Sequence, residues 1–464
     1  MNKNDRVCLH IDDFGANGEG VAHLNGIPVF VAGALPGEDV NALLLKVMPR
    51  YAYAKVLDII RPSEDRCEPE CVYYPQCGGC TCQHMAYEAQ LKFKQSQVKN
   101  CLKHIGGIDV PVEPVIGADE PWYYRNKCAM PVAGSFDNLQ IGYYAARSHR
   151  VINIEKCLLA NADNDTAITI LRDWIKEYRI RPYDETTHTG LLRHVVIRRN
   201  RCGQMMIVLV VNGKDLKHAE ELLTLLRAKL PNLVSLCISE NTKRGNVILG
   251  EDYRVIWGEK HMEDTLCGCS FQLSPLSFFQ VNPAQTEKLY STALSFAGLN
   301  GSETVADLYC GVGTISLMLA RKAKHVTGIE IVPQAIDNAR VNAELNHITN
   351  ATFYCGPTEK VLPELVASGL KPDVVVLDPP RKGAEETVLK AIVQTEPERI
   401  VYVSCDPATL ARDAKYLTQM GYSIKRVQPV DMFCQTSGIE TVCLLYHPKK
   451  NHFISVPHEP KDAS

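Results

Sequence analysis

A cysteine and an acid near the C-terminus are the side chains best placed for covalent chemistry. Cys405 follows the strand-like run Ile400–Ser404 and precedes a helical pattern. A thiol between a strand's carboxyl end and a helix N-terminus is predicted to have a low pKa and to act as a nucleophile. Glu440 supplies a carboxylate in the same region that can accept a proton. Cys310 and Cys434 are rival nucleophiles, although packing as small core thiols also explains them.

A second group of residues has the pattern of an adenosine-binding turn. The segment Asp307–Thr314 carries Gly-x-Gly between an apolar run and a helical stretch. Glycines there let the backbone approach a ligand, and the following helix presents free N–H groups. Glu330 ends the next strand-like run, where an acid accepts hydrogen bonds from ribose hydroxyls. Because Ser316 stands in place of the third glycine of a dinucleotide fingerprint, the pattern favours S-adenosylmethionine over a dinucleotide.

Asp378 is expected in the same crevice, because it ends the apolar run Val374–Leu377 and precedes a rigid Pro-Pro turn. Ligands of open α/β sheets bind outside the carboxyl ends of the strands. Methyltransferases that act on amino groups often have an aromatic residue after this turn. Arg381 occupies that position here, which argues against an exocyclic amine as the methyl acceptor.

A cluster of cysteines between residues 67 and 82 is a third candidate site. Cys71, Cys77 and Cys80 follow the spacing Cys-x5-Cys-x2-Cys. Structural zinc usually uses two Cys-x2-Cys pairs, whereas uneven spacing with a distant fourth thiolate favours an iron–sulfur cluster. Structural zinc and free thiols are the alternatives. The spacing alone leaves the fourth ligand open among Cys67, Cys82, Cys101, Cys128 and Cys157.

The composition indicates the compartment in which such sites operate. The 464 residues include 18 cysteines, too sparse for a disulfide scaffold, and the formal net charge is −3. The first residues have no apolar segment typical of a signal peptide, and no apolar run reaches the roughly 20 residues that span a bilayer. We therefore expect a cytoplasmic protein with reduced thiols and no membrane partner, and nothing implies a stable protein partner. The overall charge does not indicate a nucleic-acid partner either.

Hydrophobic periodicity predicts the elements that must position these residues. Residues 1–61 have short strand-like runs separated by Gly and Pro turns, typical of an OB-like β-barrel. Tyr87–Ile105 has helical spacing, and residues 108–270 mix strand-like and helical stretches as an α+β region. From residue 300 onwards, strand-like runs alternate with helical stretches, which indicates a parallel sheet covered on both faces. These runs are 304–309, 326–330, 352–355, 373–378 and 400–404, followed by 422–427 and 441–446.

The C-terminal motifs, taken in order, resemble the RNA uracil-5-methyltransferase family. They are Phe279–Asn282, Asp307–Gly313, Leu377–Gly383, Ser404–Pro407 and Ile439–Val442. The resemblance implies a Rossmann-like class I methyltransferase domain in which Cys405 is the nucleophile and Glu440 the base. It also implies the residues that contact S-adenosylmethionine, which are Gln280, Tyr309, Glu330 and Asp378. Thr314 stands where some members have Asn and is a weaker candidate.

The implied reaction explains the need for a thiolate and a base. Carbon 5 of a pyrimidine is a poor nucleophile. Addition of the Cys405 thiolate at carbon 6 makes a transient enolate, which attacks the methyl group of the sulfonium. Glu440 then removes the carbon 5 proton so that the thiolate can leave.

The resemblance extends to the N-terminal half of the chain. The barrel, with Gly26–Val31 and Ala34–Glu38, resembles a TRAM domain, an RNA-binding module. Family members that act on ribosomal RNA have a fourth cluster ligand in a segment like Glu155–Cys157. The resemblance therefore implies a 4Fe-4S cluster on Cys71, Cys77, Cys80 and Cys157. Because bacterial transfer-RNA relatives generally lack both features, 23S ribosomal RNA is the expected substrate and tRNA the alternative.

These inferences predict a multidomain α/β enzyme of three domains and a tail. A TRAM barrel (1–61) precedes a central α+β iron–sulfur and RNA-binding domain (62–275), whose helix at 83–105 can pack on the catalytic domain. An S-adenosylmethionine-dependent methyltransferase domain (276–448) and a polar tail (449–464) follow. The basic stretches Tyr123–Lys127 and Arg193–Arg201 are candidate RNA contacts. A non-catalytic RNA-binding protein of the same fold and a redox-sensing regulator are the alternative functions.

Overall fold

The computed structural model describes residues 1–447, which contain four β-sheets and the helices that pack on them. The tail expected at 449–464 lies outside the described residues. Among residues 1–447, no helix has the length and apolar character needed to cross a membrane.

The N-terminal sheet has six strands in the order β1-β5-β6-β4-β3-β2. The strands are β1 (Arg6–His10), β2 (Asp13–Phe14), β3 (Gly20–Leu24), β4 (Ile27–Ala32), β5 (Asp39–Val47) and β6 (Ala52–Arg61). Alternate side chains such as Val29 and Val31 are buried in a small core. β1 and β2 lie at opposite edges although only Ile11 and Asp12 separate them, so the sheet curls back on itself. No strand pair closes this sheet into a ring within the described residues, and the OB-like barrel stays a prediction.

A long helix connects the N-terminal half to the C-terminal sheet. Helix α1 (Tyr87–Cys101) continues into a π-helical turn, Leu102–Gly106, which ends at Gly107 in the left-handed conformation with φ 67°. Val98 and Leu102 are fully buried in the core that covers one face of the C-terminal sheet. The helix therefore packs on that sheet.

The central sheet has seven strands in the order β13-β12-β11-β10-β7-β8-β9. The strands are β7 (Lys127–Gly134), β8 (Leu139–Tyr144), β9 (Val151–Asn153), β10 (Leu192–Arg199), β11 (Met205–Val211), β12 (Leu233–Glu240) and β13 (Tyr253–Gly258). Helices α2 (Ala162–Glu177) and α3 (Ala219–Lys229) cover one face, and Leu171 and Trp174 fill the core between them. A hairpin of β14 (Met262–Leu266) and β15 (Cys269–Leu273) leads to the C-terminal sheet.

The C-terminal sheet has seven strands in the order β18-β17-β16-β19-β20-β22-β21. The strands are β16 (Thr304–Leu308), β17 (His325–Glu330), β18 (Ala351–Cys355), β19 (Val374–Leu377), β20 (Arg399–Ser404), β21 (Ser423–Val430) and β22 (Glu440–Tyr446). The first five are parallel, and β22 runs antiparallel to both of its neighbours, β20 and β21. The parallel sheet predicted by the alternating pattern is confirmed.

Helices cover both faces of this sheet, as its continuous apolar strands require. They are α4 (Pro283–Ala297), α5 (Thr314–Ala320), α6 (Pro333–Leu345), α7 (Thr358–Ala367), α8 (Glu386–Thr395) and α9 (Pro407–Gln419). Leu289 and Ile336 belong to the core on one face, and Leu389 and Leu410 to the core on the other. The strand order reverses between β16 and β19, so the loops after these strands diverge and leave a crevice at their carboxyl ends.

Candidate active site

The turn after β16 has a backbone shape that ordinary residues rarely adopt. Tyr309, Gly311 and Gly313 have φ values of 67°, 56° and 82°. The left-handed conformation is costly for tyrosine, and such residues cluster at ligand-binding sites. The side chain of Tyr309 is half-buried and packs with the core on the α8–α9 face. The turn leads directly into the N-terminus of α5.

Two acidic side chains accept hydrogen bonds from this turn and from the residues that follow it. Glu330, at the end of β17, accepts hydrogen bonds from the backbone N–H of Gly311 at 3.1 Å and of Val332 at 2.9 Å. Asp307, at the end of β16, accepts the hydroxyl hydrogen of Ser316 with one oxygen. Its other oxygen is buried and has no hydrogen-bond partner among the described residues. Burial raises the pKa of Asp307 to about 7, although the Ser316 hydroxyl favours the ionised form.

Asp378 and Glu440 face each other in the crevice. Asp378 follows β19, and its backbone N–H donates to the carbonyl of Leu308 at 3.3 Å, which fixes it beside the turn. Burial raises the pKa of Asp378 to about 7. The Glu440 side chain is buried, and its Oε2 has no hydrogen-bond partner among the described residues. Burial raises the pKa of Glu440 well above its usual value, and the negative charge of Asp378 raises it further. The positive charge of Arg381 acts in the opposite direction.

Cys405 lies between β20 and α9 and is partly accessible. Asp406 caps α9 by accepting hydrogen bonds from the backbone N–H of Ala408 at 2.9 Å and of Thr409 at 3.1 Å. The prediction of a low pKa for Cys405 is wrong. Burial, followed by the charges of Glu440 and Asp378, raises the pKa of the thiol to about 11, and the nearby Arg381 only partly offsets this.

The two rival cysteines are less suited to attack a substrate. Cys310 and Cys434 are both buried, and burial raises the pKa of both thiols. The Cys434 Sγ lies 3.7 Å from the hydroxyl of Tyr87 and 3.7 Å from the carbonyl of Asp431. Both behave as packed core thiols, so Cys405 is the accessible candidate of the three.

Gln280 and a tyrosine from α4 complete the crevice wall. Gln280 is buried, and its backbone carbonyl accepts a hydrogen bond from Asn126 Nδ2 at 2.9 Å. The side chains of Gln280 and Thr314 both contact the hydroxyl of Tyr290. Burial and the charge of Asp378, with a smaller effect of Glu440, raise the pKa of that hydroxyl. Sequence reasoning missed Tyr290, because its position on an amphipathic helix looks like an ordinary core position.

The four cysteines implied by the resemblance lie around one cavity. Cys71, Cys77, Cys80 and Cys157 line a space of about 80 Å³, together with Arg125. One water molecule needs roughly 10–15 Å³, so the thiols surround room for a group of several atoms. No group of three or more His, Cys, Asp or Glu side chains within residues 1–447 is arranged to hold a metal ion. The cluster and structural zinc both stay predictions.

The other cysteines weighed for this site do not line the cavity. The Cys67 Sγ donates to the carbonyl of Gln83 at 3.3 Å, and Cys82 is buried in a separate small core. Cys101 ends α1 and packs against the core of the C-terminal sheet, and Cys128 is buried in the core of the central sheet. Burial, with the nearby thiols adding to it, raises the pKa of Cys80 to about 12.

The basic stretch Arg193–Arg201 does not present free arginines for RNA. Arg193 and Arg198 are 4% and 3% exposed, because β10 is a central strand covered on both faces. Arg193 donates to the carbonyls of residues 241 and 243, and Arg198 to those of residues 275 and 277. Arg199 and Arg201 pair with acidic side chains. The prediction of RNA contacts is therefore wrong for Arg193 and Arg198.

The segment Tyr123–Lys127 runs between the crevice and the cysteine cavity. The Tyr124 hydroxyl donates to the carbonyl of Cys434, and Arg125 lines the cavity. Lys127 lies opposite Arg198 in the sheet register. Burial and the charge of Arg198 lower the pKa of Lys127 to about 8.

Comparison with known proteins decides the family. The model of the tRNA (uracil-5-)-methyltransferase family matches residues 86–448, and that of the TRAM domain matches residues 4–57. The chain belongs to the RNA uracil-5-methyltransferase family. RNA methyltransferases of Clostridium tetani and Halalkalibacterium halodurans are 47% and 48% identical to it, over 97% and 96% of this chain and 98% of each relative.

A solved structure extends the likeness to the whole fold of this methyltransferase. The tRNA (uracil-54, C5)-methyltransferase of Pyrococcus abyssi, in complex with S-adenosyl-L-homocysteine, superimposes with a TM-score of 0.76 at 27% identity. The match covers 94% of this chain and 99% of that one. The protein is therefore an S-adenosylmethionine-dependent RNA methyltransferase with a class I fold and an N-terminal TRAM domain. The predictions of the family and of an enzyme are confirmed.

Proposed function

We propose that this methyltransferase transfers a methyl group to carbon 5 of a uridine in 23S ribosomal RNA through a covalent bond between Cys405 and carbon 6. The observation that carries the proposal is the crevice, in which an accessible thiol lies beside Glu440, Asp378 and Arg381. A nucleophile and a base so close together suit addition to a ring followed by removal of a proton.

The same crevice suits a positively charged cofactor. Asp307 and Glu440 are buried and Asp378 is half-buried, and all three have raised pKa values. Asp307 and Glu440 each have an oxygen without a partner among the described residues. A cation bound there favours their ionised forms. S-adenosylmethionine carries such a charge and supplies an electrophilic methyl group on its sulfonium. The proposed contacts to it are Gln280, Tyr309, Glu330 and Asp378.

The reaction moves two protons, and the first is that of the Cys405 thiol. This thiol is partly accessible and loses its proton to solvent, which the N-terminus of α9 and Arg381 favour although burial opposes it. The thiolate sulfur then forms a bond to carbon 6 while the π electrons move to carbon 5. Carbon 5 then bonds the methyl carbon, and the electron pair of the old bond stays on the cofactor sulfur. Glu440 takes the carbon 5 proton, the double bond to carbon 6 returns, and the thiolate leaves.

We further propose that Cys71, Cys77, Cys80 and Cys157 bind a 4Fe-4S cluster. What supports the proposal is that these four thiols line one cavity with room for several atoms, and cysteine thiolates are the residues that hold iron–sulfur clusters. Arg125 in the cavity wall offsets the negative charge of such a site. A bound cluster would cross-link the loop at 71–80 to Cys157, a structural or RNA-positioning role, since methyl transfer needs no electron. Iron and sulfide analysis of anaerobically purified protein tests this, and a chain without either overturns it.

The RNA substrate is tested with labelled S-adenosylmethionine. The enzyme is incubated with unmethylated 23S rRNA and with unmethylated tRNA, and the label is mapped by mass spectrometry. We expect label on carbon 5 of a uridine in rRNA, and none with Cys405→Ala. Label in neither RNA would overturn the proposed activity.

Transfer RNA is the second candidate substrate. The likeness to the Pyrococcus abyssi enzyme, a tRNA (uracil-54, C5)-methyltransferase, favours it. Label in tRNA alone would replace the first choice. For either RNA, we propose that the N-terminal sheet (1–61) and the central domain (62–275) bind the RNA and that residues 276–448 carry out the reaction. We also propose that the N-terminal sheet closes as an OB-like barrel. The proposed site of action is the cytoplasm.

A further inference from the structure

The loop that precedes the catalytic base is held by the segment that carries the cysteines. We call residues 431–438 the base loop, because they join β21 to Glu440 at the start of β22. The carbonyl of Gln435 accepts hydrogen bonds from the backbone N–H groups of Thr81 and Cys82, both at 3.0 Å. The backbone N–H of Ser437 donates to the Thr81 hydroxyl at 2.9 Å. Thr81 directly follows Cys80, so one residue separates the cysteine cavity from the base loop.

Gln90, on α1, makes the central contact between these two segments. Its Nε2 donates to Gln435 Oε1 at 3.0 Å, and its Oε1 accepts the backbone N–H of Gln435 at 3.2 Å. The same Nε2 also lies 3.1 Å from the carbonyl of Cys82 and 2.9 Å from that of Met85. Gln90 is 1% exposed and Gln435 is 4% exposed, so water cannot replace these bonds.

The backbone of Gln435 needs this support. Its φ is 67°, a left-handed conformation that a side chain other than glycine or asparagine rarely adopts. Such a conformation persists only where surrounding contacts impose it. The start of the base loop has separate anchors, because the carboxylate of Asp431 accepts bonds from Lys94 and Tyr87. Gln90 therefore controls the half of the loop that lies nearer Glu440.

We propose that Gln90 is a positioning residue for Glu440, and that through Gln435 it ties the placement of the base to the cysteine-bearing segment. The proposal rests on the proposed function, in which Glu440 acts only after methyl transfer. A displaced Glu440 leaves the carbon 5 proton in place, so the bond between Cys405 and carbon 6 cannot break. The methylated RNA then stays attached to the protein.

The test is a single-turnover experiment with Gln90→Leu, which keeps the size of the side chain and removes its amide. We expect normal methyl incorporation, but a slowing of RNA release by about tenfold to a hundredfold, the usual effect of small displacements of a reacting group. A protein–RNA adduct that survives denaturing electrophoresis and carries the label should accumulate, while the iron content equals that of the unaltered enzyme.

The matched control is Gln95→Leu on the same helix. Gln95 Nε2 donates to the carbonyl of Val112 at 2.9 Å, a similar bond that does not involve the base loop. We expect no adduct to accumulate with this variant. Gln435→Asn is the second test, because asparagine tolerates the left-handed backbone while its shorter side chain withdraws from Gln90. It should accumulate the same adduct even if Gln90→Leu fails to fold.

The outcomes separate this inference from the proposed function. Release at the normal rate from both Gln90→Leu and Gln435→Asn overturns the positioning role and leaves the proposed reaction intact. An equal loss of methyl incorporation in Gln90→Leu and Gln95→Leu, without adduct, also overturns it, since that pattern reflects general damage to α1. Absence of any transient adduct in the unaltered enzyme overturns both proposals together.

Discussion

The acid-lined crevice brings together carboxyl groups, and the cysteine cavity brings together thiols. Both kinds of group are negative when they ionise, but the two sites are built in different ways. In the crevice, Asp378, Cys405 and Glu440 each stand at the end of a strand of one sheet. Neighbouring strands are spaced about 4.8 Å apart by their backbone hydrogen bonds, so the sheet sets the spacing of the strand ends that carry these groups. The base loop before Glu440 adds the final positioning of that side chain. The cavity has no such frame, because its cysteines come from a loop at 71–80 and from Cys157 after β9.

This difference predicts opposite responses to the loss of a ligand. The crevice should keep its shape without a cofactor, since backbone hydrogen bonds between strands hold it. The cavity should depend on what it binds, since ligand binding and folding are coupled where loops supply the ligands. The predictions below test this contrast, from the largest expected effect to the smallest.

Removal of the nucleophile should abolish the reaction and leave the crevice intact. We expect Cys405→Ala to lower methyl transfer at least about a thousandfold, as loss of a covalent nucleophile usually does. Binding of S-adenosylmethionine, measured by calorimetry, should be unchanged. The control is Cys355→Ala, which removes an exposed thiol and should retain activity. Substantial activity in Cys405→Ala would show that another group attacks the base.

Replacement of the base should stop the reaction at a later step. We expect Glu440→Gln to slow turnover by about a hundredfold to ten-thousandfold, because glutamine cannot accept the carbon 5 proton. The labelled adduct with Cys405 should accumulate on denaturing gels. The unaltered enzyme at equal concentration is the reference, and slow turnover without adduct would assign Glu440 to an earlier step.

Loss of a cavity ligand should affect the loop more than the crevice. We expect Cys80→Ser to lose nearly all bound iron and to lower the melting temperature, with activity reduced about tenfold to a hundredfold. The affinity for S-adenosylmethionine should stay close to normal. Cys67→Ser is the matched control, since Cys67 is a nearby thiol that does not line the cavity. A large loss of cofactor affinity in Cys80→Ser alone would contradict the expectation that the strands hold the cofactor contacts without help from the cavity.

Cofactor affinity should rise with pH. Asp307 and Asp378 have pKa values of about 7 in the folded protein, above the value near 4 of a free carboxyl group. Between about pH 4 and pH 7, the folded protein therefore binds more protons than the unfolded chain. For this reason these two groups lower the free energy of unfolding as the pH rises from about 4 to 7. A cation favours the ionised acids, so affinity should increase by up to about tenfold per pH unit below 7 for each acid that must ionise.

Calorimetry of S-adenosylmethionine binding across pH 5.5 to 8.5 checks this expectation. Below about pH 7, binding of the cofactor should release protons, because the acids ionise when the cation binds. Asp378→Asn should flatten the profile. An affinity independent of pH in the unaltered enzyme would show that neither acid responds to the cofactor's charge.

The smallest effect concerns the segment that passes between the two sites. We expect Lys127→Ala to change RNA binding and its salt dependence little, because burial and the charge of Arg198 lower the pKa of this lysine to about 8 and keep it from acting as a full surface charge. Lys229→Ala, at the exposed end of α3, is the control and should leave the salt dependence unchanged. A salt dependence reduced by about one ion in Lys127→Ala alone, the value for a single phosphate contact, would contradict this expectation.

Predictions from local pattern succeeded where one strand and one helix determine the outcome. The parallel strands and the position of Glu330 at the end of β17 follow from apolar runs that end in polar residues, and the structure confirms both. The contact between Glu330 and the cofactor stays a prediction. The pKa of Cys405 did not follow, because the charges that raise it come from Asp378 and Glu440 on other strands. Tyr290 was missed for the same reason, since its role depends on what the crevice places beside it.

The amino-acid sequence by itself determined the order of the elements, the family motifs and the residue types available for chemistry, because these depend on local propensity and short spacing. Only the tertiary structure decided that Arg193 and Arg198 are buried, that four of the 18 cysteines share a cavity, and that Gln90 joins the cysteine-bearing segment to the base loop. The physical reason is that burial and charge interactions depend on distance in space, and strand pairing brings together residues that are far apart in the chain.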